Sequence, residues 1–494
     1  MNHSSEKTAT SDSVGEGATS DRQRQPMRGK RVVIIGGGLA GLSAAEAIKS
    51  AFPDRFDVTL LEAKQVVGGR AGSFNDPATG EAVDYCQHVA MGCCTNLISL
   101  LERCGLDDQL NRYRKLVFLH PDHPPSPFAP ARWLPAPLHL VNAFGSMRFL
   151  TLAQRREVRR AMLRLFQTTN EKLRDQTAAE WLVENGQSPA TIRDFWDVIL
   201  ISALGERPTV VSMSAARKVF VDGFAGAVGA SDVLVPKQPL AELFGRKLRA
   251  AIEHLGVRVL TGKTVKELIR EPEIAVRTQS GDPIPADHVI MAVPWFAISN
   301  LLPAELVPDA AKLADLPVSP ISGLHLWFDR QFTDQDHAVM VGTVSQWMFR
   351  QPWEEASGVP DRKSEHYYQI VISASHDTRQ MDRKSLLETV VGEIHQAYPK
   401  ARDAKLLRYR VVTDPKSVFS VRPEVERIRP PAQTKTAWLH LAGDWTATGW
   451  PATMEGAVIS GRNAASSLCS QEGLGEIASE DGLPRGILAN WLIR

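Results

Sequence analysis

Three glycines spaced as Gly36-x-Gly38-x-x-Gly41 follow the apolar run Val32-Val33-Ile34-Ile35 and precede the alanines Ala44, Ala45 and Ala47. That order reads as a buried strand, a tight turn and a close-packed helix. Gly36 allows the turn, and Gly38 lets backbone approach a pyrophosphate. Gly41 lets the helix sit close on the strand, so that its N-terminal amides and dipole face phosphates. Glu62 ends a second apolar run, Asp57 to Leu61, about twenty residues further on, where an acidic group hydrogen-bonds a ribose of NAD or FAD. Gly68-Gly69-Arg70 adds close backbone approach and a cation for a phosphate. These residue types in this order suit a dinucleotide site.

A second segment near the other end repeats the logic. The strand Ala437 to Ala442 runs into Gly443-Asp444, then a loop with Thr446, Thr448, Gly449, Trp450 and Pro451. A helix opens at Thr453-Met454-Glu455-Gly456-Ala457 and presents another anion-friendly N-terminus. Between the two segments, Asp84, Gln87 and His88 are polar residues in an apolar stretch, and Asp84 and His88 are the candidate proton donors. Burial would raise an Asp pKa, and a neighbouring carboxylate would raise that of His. A turn or cap role for Asp84 and a structural hydrogen bond for His88 are the plainer readings beside these.

The elements that must position these residues spread over a chain of 494 residues, too long for one compact core. The formal net charge of +1 gives no footprint for nucleic acid. Five cysteines form no framework and no C-x-x-C pair, as in reduced, buried thiols of a cytosolic protein. No apolar run is long enough to span a bilayer. Residues 1–28 are polar, lack the apolar core of a secretory signal, and read as a disordered tail.

The expected organisation is α/β, a Rossmann-like nucleotide-binding domain with a discontinuous α+β lobe. Its parts are a nucleotide domain over 29–110, a lobe over 111–250, the nucleotide domain again over 251–300, the lobe over 301–415, the nucleotide domain over 416–470, and a tail over 471–494. Short β-type runs, Val257 to Leu260, Thr264 to Ile269 and Ile274 to Thr278, suggest a small antiparallel meander before the buried strand Val289 to Val293. The spacing predicts a basic amphipathic helix over Met147 to Phe166, with Val158, Met162, Leu165 and Phe166 on one face. Such a helix suits an anionic membrane surface or a solvated lobe face. A strand is expected over Lys405 to Val412, and Ile487 to Ile493 is apolar enough to dock.

With these residues in order, the chain resembles the FAD-dependent amine oxidase and phytoene desaturase superfamily. The glycine motif, Glu62, Gly68-Gly69-Arg70, Leu441-Ala442-Gly443-Asp444-Trp445 and Thr448 to Ala457 carry the likeness over Arg31 to about Leu468. The wording around Gln87-His88 and Gly443-Asp444-Trp445 most resembles the hydroxysqualene dehydroxylase subfamily. Cys93-Cys94 and Gly205-Glu206-Arg207 depart from that subfamily's pattern.

The resemblance implies FAD, with Gly36, Gly38 and Gly41 at the pyrophosphate and Glu62 at the adenosine ribose. It implies Arg70 and Asp444 near the pyrophosphate or ribityl chain, and Val265 meeting the adenine through its backbone. Leu39, Ala40, Ala63 and Gly69 share that cofactor contact. Met454, Glu455, Gly456 and Ala457 point the helix N-terminus at the flavin, and Glu455 orients the flavin or substrate or merely complements the helix dipole.

The implied reaction is reductive dehydroxylation of hydroxysqualene to squalene, in squalene and hopanoid biosynthesis. A carotenoid-type desaturase or isomerase and a non-catalytic flavin-binding partner are the other readings. A polyisoprenoid substrate implies peripheral membrane contact, with the Arg155 to Phe166 helix and the Pro127 to Leu140 stretch as the dock. The expected place is the cytoplasm, on the inner face of the cytoplasmic membrane. The electron donor and any protein partner stay open, and no metal or nucleic acid is implied.

Overall fold

The four β-branched residues after Arg31 lie in strand β1 (Lys30–Ile35), at the centre of a parallel sheet. Val33 and Ile35 join one apolar cluster while Val32 and Ile34 join another, so alternate side chains are buried on opposite faces. The structure is a computed structural model that describes residues 29–350 and 365–494, apart from positions 78, 81, 303, 304, 308 and 309. The tail expected at 1–28 lies outside the described residues.

From β1 the chain enters helix α1 (Leu39–Ala51) and strand β2 (Phe56–Leu61). Strands β3 (Arg258–Leu260), β4 (His288–Met291) and β5 (Leu439–Leu441) complete the sheet in the order β3-β2-β1-β4-β5, all parallel. Beside β1 the order turns one way to β2 and the other way to β4. A crevice for ligand opens at the carboxyl ends of strands at such a switch point.

The run Val257 to Leu260 therefore belongs to the parallel sheet as β3. The meander consists of Val265–Ile269, Ala275–Thr278 and Ile284–Pro285.

A second, mixed sheet builds the lobe. Its strand order is Leu406–Phe419, Val318–Phe328, His366–Ile372, Trp347–Arg350, His337–Met340, Leu116–His120, His123–Phe128. Helix Arg383–Ala397 covers its outer face through Leu386, Val390 and Ile394. The opposite face joins the large cluster that also holds Val33 and Ile35. Strand Leu406–Phe419 runs past Val412 and past the boundary expected at 415. It is an edge strand, and an edge tolerates Pro415, which has no N–H to give.

Four more helices bear on the site: α2 (Thr95–Arg103), α3 (Leu152–Gln167), α4 (Met213–Phe220) and α5 (Met454–Gln471). Helix α3 starts later than the periodicity suggests, because Thr151 and Gln154 form a capping box. Its apolar residues Val158, Leu165 and Phe166 are buried in the protein, so that face is not available to a membrane.

The lobe boundary expected at 250 also moves. Leu240, Leu243, Phe244, Leu248 and Ile252 sit at helical spacing and pack into the cluster of Ile34, Val58 and Leu60, so this segment covers the nucleotide sheet. The final stretch ends in helix α6 (Ile487–Leu492), which packs through Ala489 onto Phe166 and Val221.

Helices α1 and α5 cross at backbone contact. A Cβ on Gly461 would stand 2.2 Å from the Ala40 carbonyl oxygen. Ser43 Oγ also donates to the Val458 carbonyl at 2.9 Å. Gly461→Val therefore drives α1 off α5. The expected cost is about 3 kcal/mol, read as a lowered unfolding midpoint with loss of bound cofactor. Unchanged stability would show that the two helices separate without consequence.

Candidate functional site

Gly36 follows β1 with φ of +111°, a conformation that L side chains rarely adopt, and a Cβ there would meet the Ala292 carbonyl at 2.4 Å. Gly41 is as crowded, since its Cβ would lie 2.0 Å from the Gly36 carbonyl oxygen. The turn is thus as tight as the motif requires. Gly38 caps α1 in extended conformation without a side-chain acceptor, so the first-turn amides are left for a ligand. Gly68 N–H donates to the Gly37 carbonyl at 2.8 Å and brings the Gly68-Gly69 segment against this turn.

A cavity of about 720 Å³ opens at these carboxyl ends. Gly36, Gly38, Leu39, Ala40, Glu62, Ala63, Gly69, Arg70, Gly443, Asp444, Met454, Glu455 and Ala457 lie on its wall, as does His88. Two helix N-termini, those of α1 and α5, therefore meet one cavity. The other arm of the cavity is apolar, lined by Phe118, Val198, Val219, Phe224, Val339 and Phe349 among others. Fold and site meet here, because these residues come from the mixed sheet, from helix Asp197–Leu204, and from α4 with its π-helical extension Val221–Ala225.

Glu62 is buried; its Oε2 accepts from Gly37 N–H at 2.7 Å and its Oε1 from Lys64 N–H at 2.8 Å. Asp444 is buried and ion-paired to Arg70, whose guanidinium also donates to the Ser417 carbonyl at 3.0 Å and lies 4.9 Å from the Trp295 ring centroid. A carboxylate at the end of β2, open helix amides and a fixed cation beside them fit a dinucleotide. Gly41 and Gly456 stand behind the wall: Gly41 packs on the turn, and Gly456 N–H donates to Thr453 Oγ1 at 3.1 Å.

Other expected site residues prove to be placed differently. Val265 is not on the cavity wall; it lies in the meander opposite Thr278 and packs on the main cluster. Glu455 borders the cavity, but its carboxylate turns to α2. Its Oε1 accepts from Asn96 N–H and Asn96 Nδ2, both at 3.0 Å, and its Oε2 from Leu97 N–H at 2.8 Å. Burial pushes its pKa up, against those three hydrogen bonds. It acts as an acidic cap on the N-terminus of α2, which its own helix does not supply.

Asp84 is also off the wall. One carboxylate oxygen accepts from Ser73 Oγ at 2.5 Å and from Leu240 N–H at 2.8 Å, which anchors the helix that covers the nucleotide sheet. Burial raises its pKa to about 7. Here the group is a structural anchor between Ser73 and Leu240.

His88 is on the wall, but its role reverses. Its Nδ1 lies 2.9 Å from the Cys86 carbonyl, which can only accept, so Nδ1 carries the proton. Burial lowers its pKa. The imidazole is neutral and offers Nε2 as an acceptor rather than a proton. The neighbouring Cys86 thiol is pushed up to about 12 by burial and is no acid either.

Sequence reasoning missed Lys218. It lines the cavity from α4, pairs with Asp222 at 2.9 Å and lies 4.7 Å from the Trp450 ring centroid. Within its helix it reads as an ordinary solvated lysine, so only the fold reveals its place.

Residues 39–469 match the flavin containing amine oxidoreductase family model. The 15-cis-phytoene desaturase of Narcissus pseudonarcissus is 26% identical, over 90% of this chain and 80% of that protein. The 15-cis-phytoene desaturase of Synechococcus elongatus is 25% identical, over 90% and 96%. Hydroxysqualene dehydroxylase of Sinorhizobium fredii is 26% identical, over 90% and 99%. Among solved structures, cyclohexylamine oxidase of Brevibacterium oxydans superposes with a TM-score of 0.63 at 19% identity, over 90% of this chain and all (100%) of that one. Putrescine oxidase bound to putrescine gives 0.64 at 16%, over 89% and 99%.

Two outcomes follow from the geometry. Glu62→Ala should weaken FAD retention by about 1.5–3 kcal/mol, the worth of hydrogen bonds to a charged group. Flavin absorbance per protein after desalting measures it, and full retention would contradict the placement of Glu62. Asp84 holds its proton more tightly folded than unfolded, so wild-type stability should fall as pH rises from about 4 to about 7. Asp84→Asn keeps the accepting oxygen and removes that dependence. Denaturant melts across this range should therefore show the variant gaining on the wild type with pH; parallel curves would contradict the assignment.

Proposed function

The chain belongs to the flavin containing amine oxidoreductase family and is an FAD-dependent oxidoreductase, and from that premise we propose that it reduces an allylic alcohol of a polyisoprenoid, converting hydroxysqualene to squalene. The observation that carries the substrate class is the cavity: its apolar arm runs from the two helix N-termini into the lobe, with Phe118, Val339 and Phe349 on its walls. A long hydrocarbon gains from such burial at roughly 25 cal/mol per Å², whereas the wall's carboxylates Glu62, Asp414, Asp444 and Glu455 are matched by Arg70, Lys64, Lys218 and Lys416 and leave no net negative charge to draw in a cationic amine.

Bound FAD supplies hydride transfer. The chain's own residues do the rest. The apolar arm orients the hydrocarbon and excludes water from the allylic carbon. The leaving hydroxyl needs a proton, and Lys218 offers one from an ammonium held by Asp222 and Trp450. His88 accepts a hydrogen bond from the substrate hydroxyl at Nε2 and fixes its direction. The N-terminus of α5 favours negative charge on the cofactor beside it.

Desaturation of a polyisoprenoid is the second reading, favoured by the likeness to the two phytoene desaturases. The two run in opposite directions, so one anaerobic experiment separates them. Photoreduced holoenzyme is mixed with hydroxysqualene, and flavin absorbance and extracted squalene are followed together. One flavin reoxidised per squalene formed supports the dehydroxylase. Reduced enzyme that stays reduced, while oxidised enzyme bleaches on phytoene or squalene, sinks it. Lys218→Met should slow reoxidation by roughly 10²–10⁴-fold, as expected for a lost general acid, with flavin content unchanged and partial recovery in Lys218→Arg. Unaltered reoxidation would return Lys218 to an ion-pair role.

A further inference from the structure

Helix α6 packs one face into the protein and leaves the other bare. Ala489 and Ile493 are buried in a small cluster with Ala136, Phe166, Val221 and Ala225. Ile487 and Trp491, one turn apart on the outer face, are 92% and 78% exposed. The helix is held in this pose by hydrogen bonds to the end of α3. Arg494 N–H donates to the Phe166 carbonyl at 2.8 Å, and Gln167 Nε2 donates to the Leu492 carbonyl at 2.6 Å.

The same small cluster joins two more exposed features. Ala136 and Leu140 belong to the segment that carries Trp133, 80% exposed, with Leu138 and Val141 also exposed. Phe166 and Met162 belong to α3, whose outer face presents Arg156, Arg159, Arg160 and Arg164 with the exposed Leu163. Two bare tryptophans and several bare aliphatics thus surround one core cluster, with an arginine row beside them. Exposed apolar groups of this kind mark an interaction site. Tryptophans beside arginines match the chemistry of a bilayer interface, with rings at headgroup depth and cations on anionic phosphates.

The surface also lies one helix from the cavity. Along the π-helical extension of α4, Val221 and Ala225 face the small cluster, whereas Gly223 and Phe224 line the cavity, as does Val219 just before them. The turn that packs into the small cluster is therefore also a wall of the apolar arm.

We propose that helix α6 and the Trp133–Val141 segment insert into the headgroup layer of an anionic bilayer, with the α3 arginines on its phosphates, and so place the wall formed by Val219 to Ala225 against the lipid from which the apolar arm is filled. The purpose of the surface rests on the polyisoprenoid reading, but vesicle binding needs no turnover, so the two fail separately. Relative to the expectation from sequence, which placed the dock on the Arg155 to Phe166 helix and the Pro127 to Leu140 stretch, the apolar face of α3 is withdrawn into the core and α6 is added.

The test is flotation of FAD-loaded protein with phosphatidylcholine vesicles, with and without phosphatidylglycerol. Wild type should float with the anionic vesicles and less so as salt rises. The double variant Ile487→Ser, Trp491→Ser should lose roughly tenfold or more of this binding, with flavin content and melting unchanged. Arg156→Gln, Arg159→Gln, Arg160→Gln should lose the preference for phosphatidylglycerol. A second readout covers misfolding of the serine variant. Brominated lipid should quench wild-type tryptophan fluorescence, and the Trp133→Phe, Trp491→Phe variant should still float but lose that quenching. Wild type that ignores both vesicles, or floats equally well as the serine variant, overturns the proposal. So does wild type that self-associates through this face instead of binding vesicles, with Trp491→Ser restoring the monomer.

Discussion

Everything at the site depends on two helices touching at their backbones. Gly461 lets α5 cross α1 where a side chain would strike the Ala40 carbonyl, and Gly443 N–H donates to Ser460 Oγ at 2.8 Å to tie the end of β5 to the same helix. Because α1 follows β1 and α5 follows β5, this contact aims two N-termini at one cavity. Separately, each is a modest positive pole of about half an elementary charge. Together they fit a long anionic cofactor.

That constraint explains how acids and bases are distributed. Carboxylates near the poles are held by protein donors, Glu62 by Gly37 and Lys64 with acceptor capacity left for a ribose, Asp444 by Arg70, and Glu455 by the start of α2. Lysines on the wall are parked over rings: Lys64 lies 5.6 Å from the Tyr85 centroid, Lys218 4.7 Å from Trp450 and Lys416 5.2 Å from Phe296. Cations held against aromatic faces keep charge at the margin of an apolar chamber. The apolar arm is thereby left free of charge on its own walls.

Local signals wrote the nucleotide half of the molecule into the sequence. Val32 to Gly41 act through the backbone of their own turn, and Glu62 and Gly443-Asp444 stand at strand ends in recognisable motifs, so the sequence reveals them although their partners, Gly37 and Arg70, are distant. Residues outside such motifs, with partners distant in the chain, were not legible. Asp84 anchors Leu240, Glu455 caps α2, and Lys218 reaches Trp450; each role exists only once the lobes are assembled. Val265, expected to meet the adenine through its backbone by resemblance, opens the meander opposite Thr278 and is not among the cavity-lining residues. Helix α3 shows the same limit from another side. Its period was legible, but which face the core would take was not, and the core took Val158, Leu165 and Phe166.

The central claim is that one chamber joins a flavin to a site for neutral hydrocarbon and refuses amines, although cyclohexylamine and putrescine oxidases share the fold. The most direct measurement is the visible spectrum of oxidised holoenzyme, without oxygen, titrated with squalene and separately with cyclohexylamine or putrescine. The account predicts a saturable shift of the flavin bands with squalene and an unchanged, oxidised flavin with either amine. Bleaching by an amine while squalene leaves the bands untouched would contradict it.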